Sequence, residues 1–178
     1  MAITPDTKNW TWVLDRPCDE CGFDSRDMEP RSVGSMLRDN ADAWVGVLTS
    51  DADLSARPSP GKWSPVEYGC HVRDVHRVFA GRLRAMLTED DPAYENWDQD
   101  ATALADDYAS QDPRTVAVEL RDEAGAIAAA FDAVPDGSWE RTGRRSDGAR
   151  FTVATLSRYL MHDPIHHLYD VTGRRWAE

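Results

Sequence analysis

The sequence predicts an all-α fold, a four-helix bundle with a long crossover and an irregular N-terminal arm. Three observations predict it. Apolar residues recur at helical spacing in four separate stretches. Three of these stretches open on a helix-capping residue. The connections after the first and second stretches are long, so a simple up-down-up-down bundle is not expected. At 178 residues the chain suits one domain with a short appendage: an arm over residues 1–29 and a bundle over residues 30–178.

The arm is polar and broken by Pro5, Pro17 and Gly22, but it holds Trp10 and Trp12. Two indoles are too apolar for a solvated tail, so part of the arm is expected to lie on the bundle. The first helix starts near Pro30, a good first-turn residue, with Val33, Leu37, Ala41, Trp44 and Leu48 as its apolar stripe. Pro58, Pro60 and Gly61 mark the following loop. The second helix has the clearest start, Ser64-Pro65-Val66-Glu67, where a capping Ser, a first-turn Pro and a capping-box Glu coincide. Its stripe runs through Tyr68, Val72, Val75, Phe79, Leu83 and Met86. Residues 88–111 form the long crossover, with one weak helical patch near Ala101–Tyr108. Asp112-Pro113 opens the third helix, whose apolar face is Val116, Leu120, Ala124, Ile127, Phe131 and Val134. A short hairpin around Asp147-Gly148 precedes the fourth helix, which Thr152 caps and Gly173 ends.

Composition excludes several function classes. The net charge of −12 argues against nucleic acid and anionic membranes as partners, because both need a basic footprint. No apolar run is long enough to span a bilayer, and the N-terminus lacks the basic and apolar regions of a signal peptide. Three cysteines (Cys18, Cys21, Cys70) make no disulfide framework, so a reducing cytoplasm is expected. The strong preference for Arg over Lys, with abundant Ala, matches the codon usage of a GC-rich bacterial genome.

The chemistry lies in the histidines. His162 and His166 are four apart on the fourth helix, so one face presents both imidazoles. His71 lies on or beside the apolar stripe of the second helix, and a buried imidazole requires a partner for each nitrogen. Three imidazoles from two facing helices would form a metal site with an open position, as catalytic sites have. Zinc is the default ion; nickel and iron also accept imidazole. The alternative is a polar helix face with hydrogen-bonded core histidines.

Trp63-Ser64-Pro65-Val66-Glu67, followed by His71 and Asp74, resembles the second-helix signature of the DinB-like superfamily. His162-Asp163-Pro164-Ile165-His166 resembles its fourth-helix motif, and the likeness covers roughly residues 30–172. The resemblance implies a divalent metal held by His71, His162 and His166. It also implies kinship with the metal-binding domain of mycothiol-dependent maleylpyruvate isomerase and with thiol S-transferases. Such a metal lowers the pKa of a coordinated thiol and yields a thiolate at neutral pH. The sequence departs from the family at Asp170, where many relatives carry Gln, at His167 and in the extra arm.

Other residues are open to two readings. Asp74 could orient a ligand imidazole, or pair with Arg73 or Arg77. His167 is placed near the site rather than as a fourth ligand, and His76 is placed off the metal face. Cys18-x-x-Cys21-Gly22 resembles a zinc knuckle lacking two ligands, which Cys70, His76 or an acid would have to supply; a redox pair or simple packing are the alternatives. Arg141, Arg144, Arg145 and Arg150 form the one concentrated positive patch. Arg144 and Arg145 are candidates for an anionic substrate or cofactor, against a surface charge-balancing role. The histidines point to a metal-dependent enzyme, and the resemblance implies that it acts on a small-molecule thiol and an electrophile. The alternative is a metal-stabilised binding or stress-response module. Bundles of this type often expose an apolar helix face, so a homodimer is a further expectation.

Overall fold

A computed structural model describes residues 9–176. Four long helices form the bundle: α1 (Val33–Leu48), α2 (Pro65–Thr88), α4 (Pro113–Asp132) and α5 (Val153–Thr172); a short α3 (Gln99–Ala105) lies in the crossover. Local signals set their starts. The Ser64 hydroxyl accepts from the Glu67 N–H, and the Glu67 carboxylate accepts from the Ser64 N–H, a complete capping box. Asp112 caps α4 through the Thr115 N–H, and Thr152 and Thr155 cap α5 reciprocally. Gly173, at φ 71°, closes α5 in the left-handed conformation that glycine adopts without strain.

The expected stripes are the buried ones. Val33, Leu37, Ala41, Trp44 and Leu48 are buried on α1, and Tyr68, Val72, Val75, Phe79, Leu83 and Met86 on α2. The first helix starts later than its sequence signal, because Pro30–Ser32 forms a 3-10 turn leading into α1. The main contacts of α1 and of α2 are with both α4 and α5, so the helices follow one another around the bundle as α1, α4, α2, α5. Chain neighbours α1 and α2 are therefore not the principal partners, as the long connections require.

The hairpin expected before the last helix forms from β2 (Thr142–Arg145) and β3 (Arg150–Thr152), paired antiparallel with Gly143 opposite Phe151. An unanticipated third strand, β1 (Ala93–Tyr94), comes from the crossover and pairs parallel with β2. The sheet pins the crossover over the end of α2. A side chain at Gly143 would meet the Met86 Cγ at 2.7 Å, so this close approach requires glycine.

The arm does not hang free. Trp10–Leu14 forms a 3-10 turn against α5. Cys18, Cys21, Phe23 and Met28 join the same apolar cluster as the bundle residues Leu156, Leu160 and Ile165. The arm thus contributes four side chains to the core; residues 1–8 of the expected arm, and residues 177–178, lie outside the described residues. No helix among the described residues is long and apolar enough to cross a membrane.

Candidate metal centre

The chemistry concentrates on α5, in His162-Asp163-Pro164-Ile165-His166-His167-Leu168-Tyr169-Asp170. Two of its overlapping pairs at i, i+4 spacing are His162 with His166, and Asp163 with His167. Successive residues on a helix point about 100° apart, so the two pairs form adjacent stripes. The Asp163–His167 stripe meets His71 of α2; the His162–His166 stripe meets Cys18 and Cys21 of the arm. The backbone between them is anchored to α1, because the Pro164 carbonyl accepts from Trp44 Nε1 at 3.1 Å and Asn40 Nδ2 at 3.4 Å.

In the first set, the ligand atoms of His71, Asp163 and His167 lie within 4.8 Å of one another. His71 Nε2 is 3.2 Å from Asp163 Oδ1, and His167 Nε2 is 3.8 Å from the same oxygen. His167 Nδ1 is held by Asp170 Oδ2 at 3.0 Å, which leaves its Nε2 facing the set. Trp97 stacks on the His71 ring at 5.3 Å between centroids, and Trp63 approaches it at 5.2 Å. His71 is fully buried, and its Nδ1 has no hydrogen-bond partner. In the second set, Cys18, Cys21, His162 and His166 are all buried, and their ligand atoms also lie within 4.8 Å of one another.

The structure therefore divides the three histidines expected in one site. The arrangement that the resemblance implies, one ligand on the second long helix and two at i, i+4 on the last, is present with its α5 members moved one residue along, to Asp163 and His167. The rotation of α5 about its own axis decides this, and i, i+4 spacing alone cannot. The sequence alone places His167 beside the set rather than in it, and leaves Asp163 either lining the site or facing solvent. The usable signal was the doubled pattern itself, together with Asp170 three residues after His167.

Burial keeps the two imidazoles of the second set neutral. Burial, then the neighbouring His166, lowers the His162 pKa to about 4; burial and His167 also lower His166. Neutral imidazoles carry the lone pair that a metal requires. Burial pushes Asp163 upward, but His71 and His167 outweigh it and hold the carboxylate ionised well below its usual range.

Both stripes of α5 open on one cavity of about 490 Å³, whose wall includes His162, Asp163, His166, His167, Arg82 and Arg145. The expected arginine patch disperses. Arg141 donates to the Met86 and Glu89 carbonyls, and Arg144 and Arg150 pair with Asp91. Arg145 alone of the four reaches the cavity, fixed by Asp147 at 2.7 Å and the Tyr159 hydroxyl at 3.1 Å. Arg82, beside it, was not singled out by sequence. It is buried, and its guanidinium lies over the Phe79 and Tyr94 rings.

Asp74 does not face the His71 imidazole in any hydrogen bond. It binds Arg73, Arg77 and the Tyr108 hydroxyl, the structural alternative foreseen for it. His76 is buried, with both ring nitrogens unpartnered and its pKa lowered by burial to about 4. Cys70 contacts Gln111 Oε1 at 3.4 Å, and burial raises its pKa to about 12. Among the described residues, neither His76 nor Cys70 joins a potential ligand set.

Comparison with known proteins now bears on this geometry. The family model of the DinB superfamily matches residues 35–171. The chain belongs to the DinB superfamily. A solved structure, YfiT from Bacillus subtilis, is similar to it over 97% of this chain and 91% of that chain, at 20% identity and a TM-score of 0.64. That protein is described as "a probable metal-dependent hydrolase with an unusual four-helix bundle topology". No curated protein matches the chain. At this identity the likeness to YfiT concerns the fold, and within the superfamily match the arm before residue 35 lies outside the matched range.

Proposed function

We propose that this DinB-superfamily chain is a metal-dependent enzyme whose divalent cation is held by His71, Asp163 and His167. The observation that carries the reading is the convergence of their ligand atoms within 4.8 Å, with Asp163 and His167 on the cavity wall. The donor set fits such an ion: two imidazoles and one carboxylate suit zinc, nickel or iron, and three protein ligands leave a position open.

When bound, the cation supplies Lewis acidity and lowers the pKa of a thiol or water that reaches it. The chain's own residues do the rest. Asp170 holds the His167 ring in the tautomer that presents Nε2. Trp97 covers His71 and keeps water from its face. Arg82 and Arg145 line the same cavity, Arg145 already paired with Asp147, and offer guanidinium groups to a carboxylate-bearing substrate or thiol cofactor. The resemblance of the sequence favours S-transfer or isomerisation dependent on a low-molecular-weight thiol such as mycothiol. The description of YfiT favours a second reading, hydrolysis, with water in place of thiol.

The test uses metal-loaded protein, purified without a polyhistidine tag, with mycothiol and a panel of model electrophiles. Metal-dependent thiol consumption that His167→Ala abolishes supports the first reading. Metal-dependent ester or amide hydrolysis without thiol supports the second. A chain that binds metal and turns over neither class is a binding module, and the enzymatic reading then fails.

A further inference from the structure

Cys18 and Cys21 are used by nothing in the proposed reaction, yet they converge with two histidines. We infer that Cys18, Cys21, His162 and His166 form a second metal site, a closed zinc centre that fastens the arm to α5. This inference goes beyond the reaction proposed above and does not depend on it.

The geometry supports it at three levels. The arm makes a knuckle: Gly22 N–H donates to the Cys18 carbonyl at 2.8 Å, Cys18 N–H donates to the Phe23 carbonyl at 2.9 Å, and Gly22 takes the left-handed φ of 79°. This turn places both thiols on one side. The four residues are 0–6% exposed, and their ligand atoms lie within 4.8 Å of one another. The imidazoles are also aimed correctly. His166 Nδ1 is 3.6 Å from Cys18 Sγ, while its Nε2 points the other way, within 3.9 Å of Glu20 and 3.7 Å of Asp170. A ligand imidazole characteristically has this outward carboxylate. His162 Nε2 is buried with no hydrogen-bond partner.

Two thiolates and two imidazoles complete a tetrahedral shell, so the site has no open position and its role is structural. Binding is balanced in charge. Each thiol gives its proton to solvent, and the dication with two thiolates is neutral, which a buried site tolerates. A dithiol redox pair would leave both histidines without a purpose. The acidic alternative, Glu20 with His166 and Asp170, includes an exposed carboxylate and uses the same imidazole. The site also bears on the cavity. Trp10 lies 5.4 Å from the His162 ring and 5.1 Å from the His166 ring, and Asn9 and Trp10 form part of the cavity wall. The centre thus holds that wall in place.

The test replaces the metal with Co²⁺ in the full chain, reduced and without a polyhistidine tag. The expected spectrum contains a thiolate-to-cobalt charge-transfer band. The Cys18→Ser/Cys21→Ser double variant should lose the band and one metal equivalent per chain, whereas His71→Ala should keep the band. X-ray absorption at the zinc edge of the wild type needs no variant and should show sulfur neighbours at about 2.3 Å. Absence of both the band and the sulfur neighbours in the wild type overturns the inference, as does a band that survives the double substitution or disappears with His71→Ala. A wild type that turns over no substrate but keeps the sulfur signature counts against the enzymatic reading and leaves this site standing.

Discussion

Replacing Asp74 with Asn should weaken the fold and leave metal binding intact. Asp74 is 8% exposed at its side chain and accepts from Arg73 Nε at 3.0 Å, Arg73 Nη2 at 3.1 Å, Arg77 Nη1 at 2.9 Å and the Tyr108 hydroxyl. Asparagine offers one acceptor oxygen and turns an amide N–H₂ toward a guanidinium. Breaking a buried ion pair typically costs about 3–5 kcal/mol. Arg73 keeps Glu119 at 2.7 Å and Gln111 at 2.8 Å, so the cost falls at the low end, about 3 kcal/mol. At this chain length that lowers Tm by about 6–12 °C. The penalty also has a pH signature. Burial raises the Asp74 pKa, but hydrogen bonds from Arg73 and Tyr108 and the two guanidinium charges outweigh burial and lower it. A lowered folded pKa stabilises the fold above the unfolded value of about 3.9, and the stabilisation is lost as pH falls through the folded value. The gap between wild type and variant is therefore full at pH 7 and narrows in acid. Calorimetric scans from pH 3 to pH 7, with metal analysis of each protein, check both points. Loss of metal without loss of stability would refute the reasoning and return Asp74 to the site.

Three further predictions follow from other parts of the structure. Asp170→Asn removes the carboxylate that orients His167 Nδ1, and should weaken metal binding by about 10–100-fold in chelator competition. Gly143→Ala places a methyl group 2.7 Å from Met86 Cγ and should cost about 1–3 kcal/mol by urea unfolding. His76→Leu removes two buried ring nitrogens that have no partner. It should stabilise the chain by about 1 kcal/mol with unchanged metal content, since a buried unsatisfied polar group carries a penalty of that order; a marked loss of stability or metal would show that His76 has a partner.

The fold was legible where it depends on local chemistry. Ser64, Asp112 and Thr152 cap the helices they were expected to cap, and Gly173 ends α5, because capping involves only residues within one turn. Strand β1 was not legible: two residues carry no periodicity, and Ala93–Tyr94 becomes a strand only by pairing with β2. The candidate site was legible as a region and not as a ligand set. The sequence shows that α5 carries ligands at helical spacing, but the rotation of that helix selects which stripe faces α2. This rotation follows from packing over the whole helix, including the Pro164 carbonyl bound by Trp44 and Asn40. The knuckle at Cys18 and Cys21 showed the same limit. Its turn was recognisable, but its partners lie more than 140 residues further along the chain, on a stripe already assigned to another site. Arg145 and Arg144 are neighbours on one strand, where alternation sends one to the cavity and the other toward Asp91.

The position of the cation at the cavity decides between His71–Asp163–His167 and the three-histidine set. A crystal of the metal-loaded chain, with diffraction recorded above and below the metal absorption edge, would locate it. The structure predicts an anomalous peak coordinated by His71, Asp163 and His167. A single peak shared by His71, His162 and His166, or no density beside His71, would contradict it.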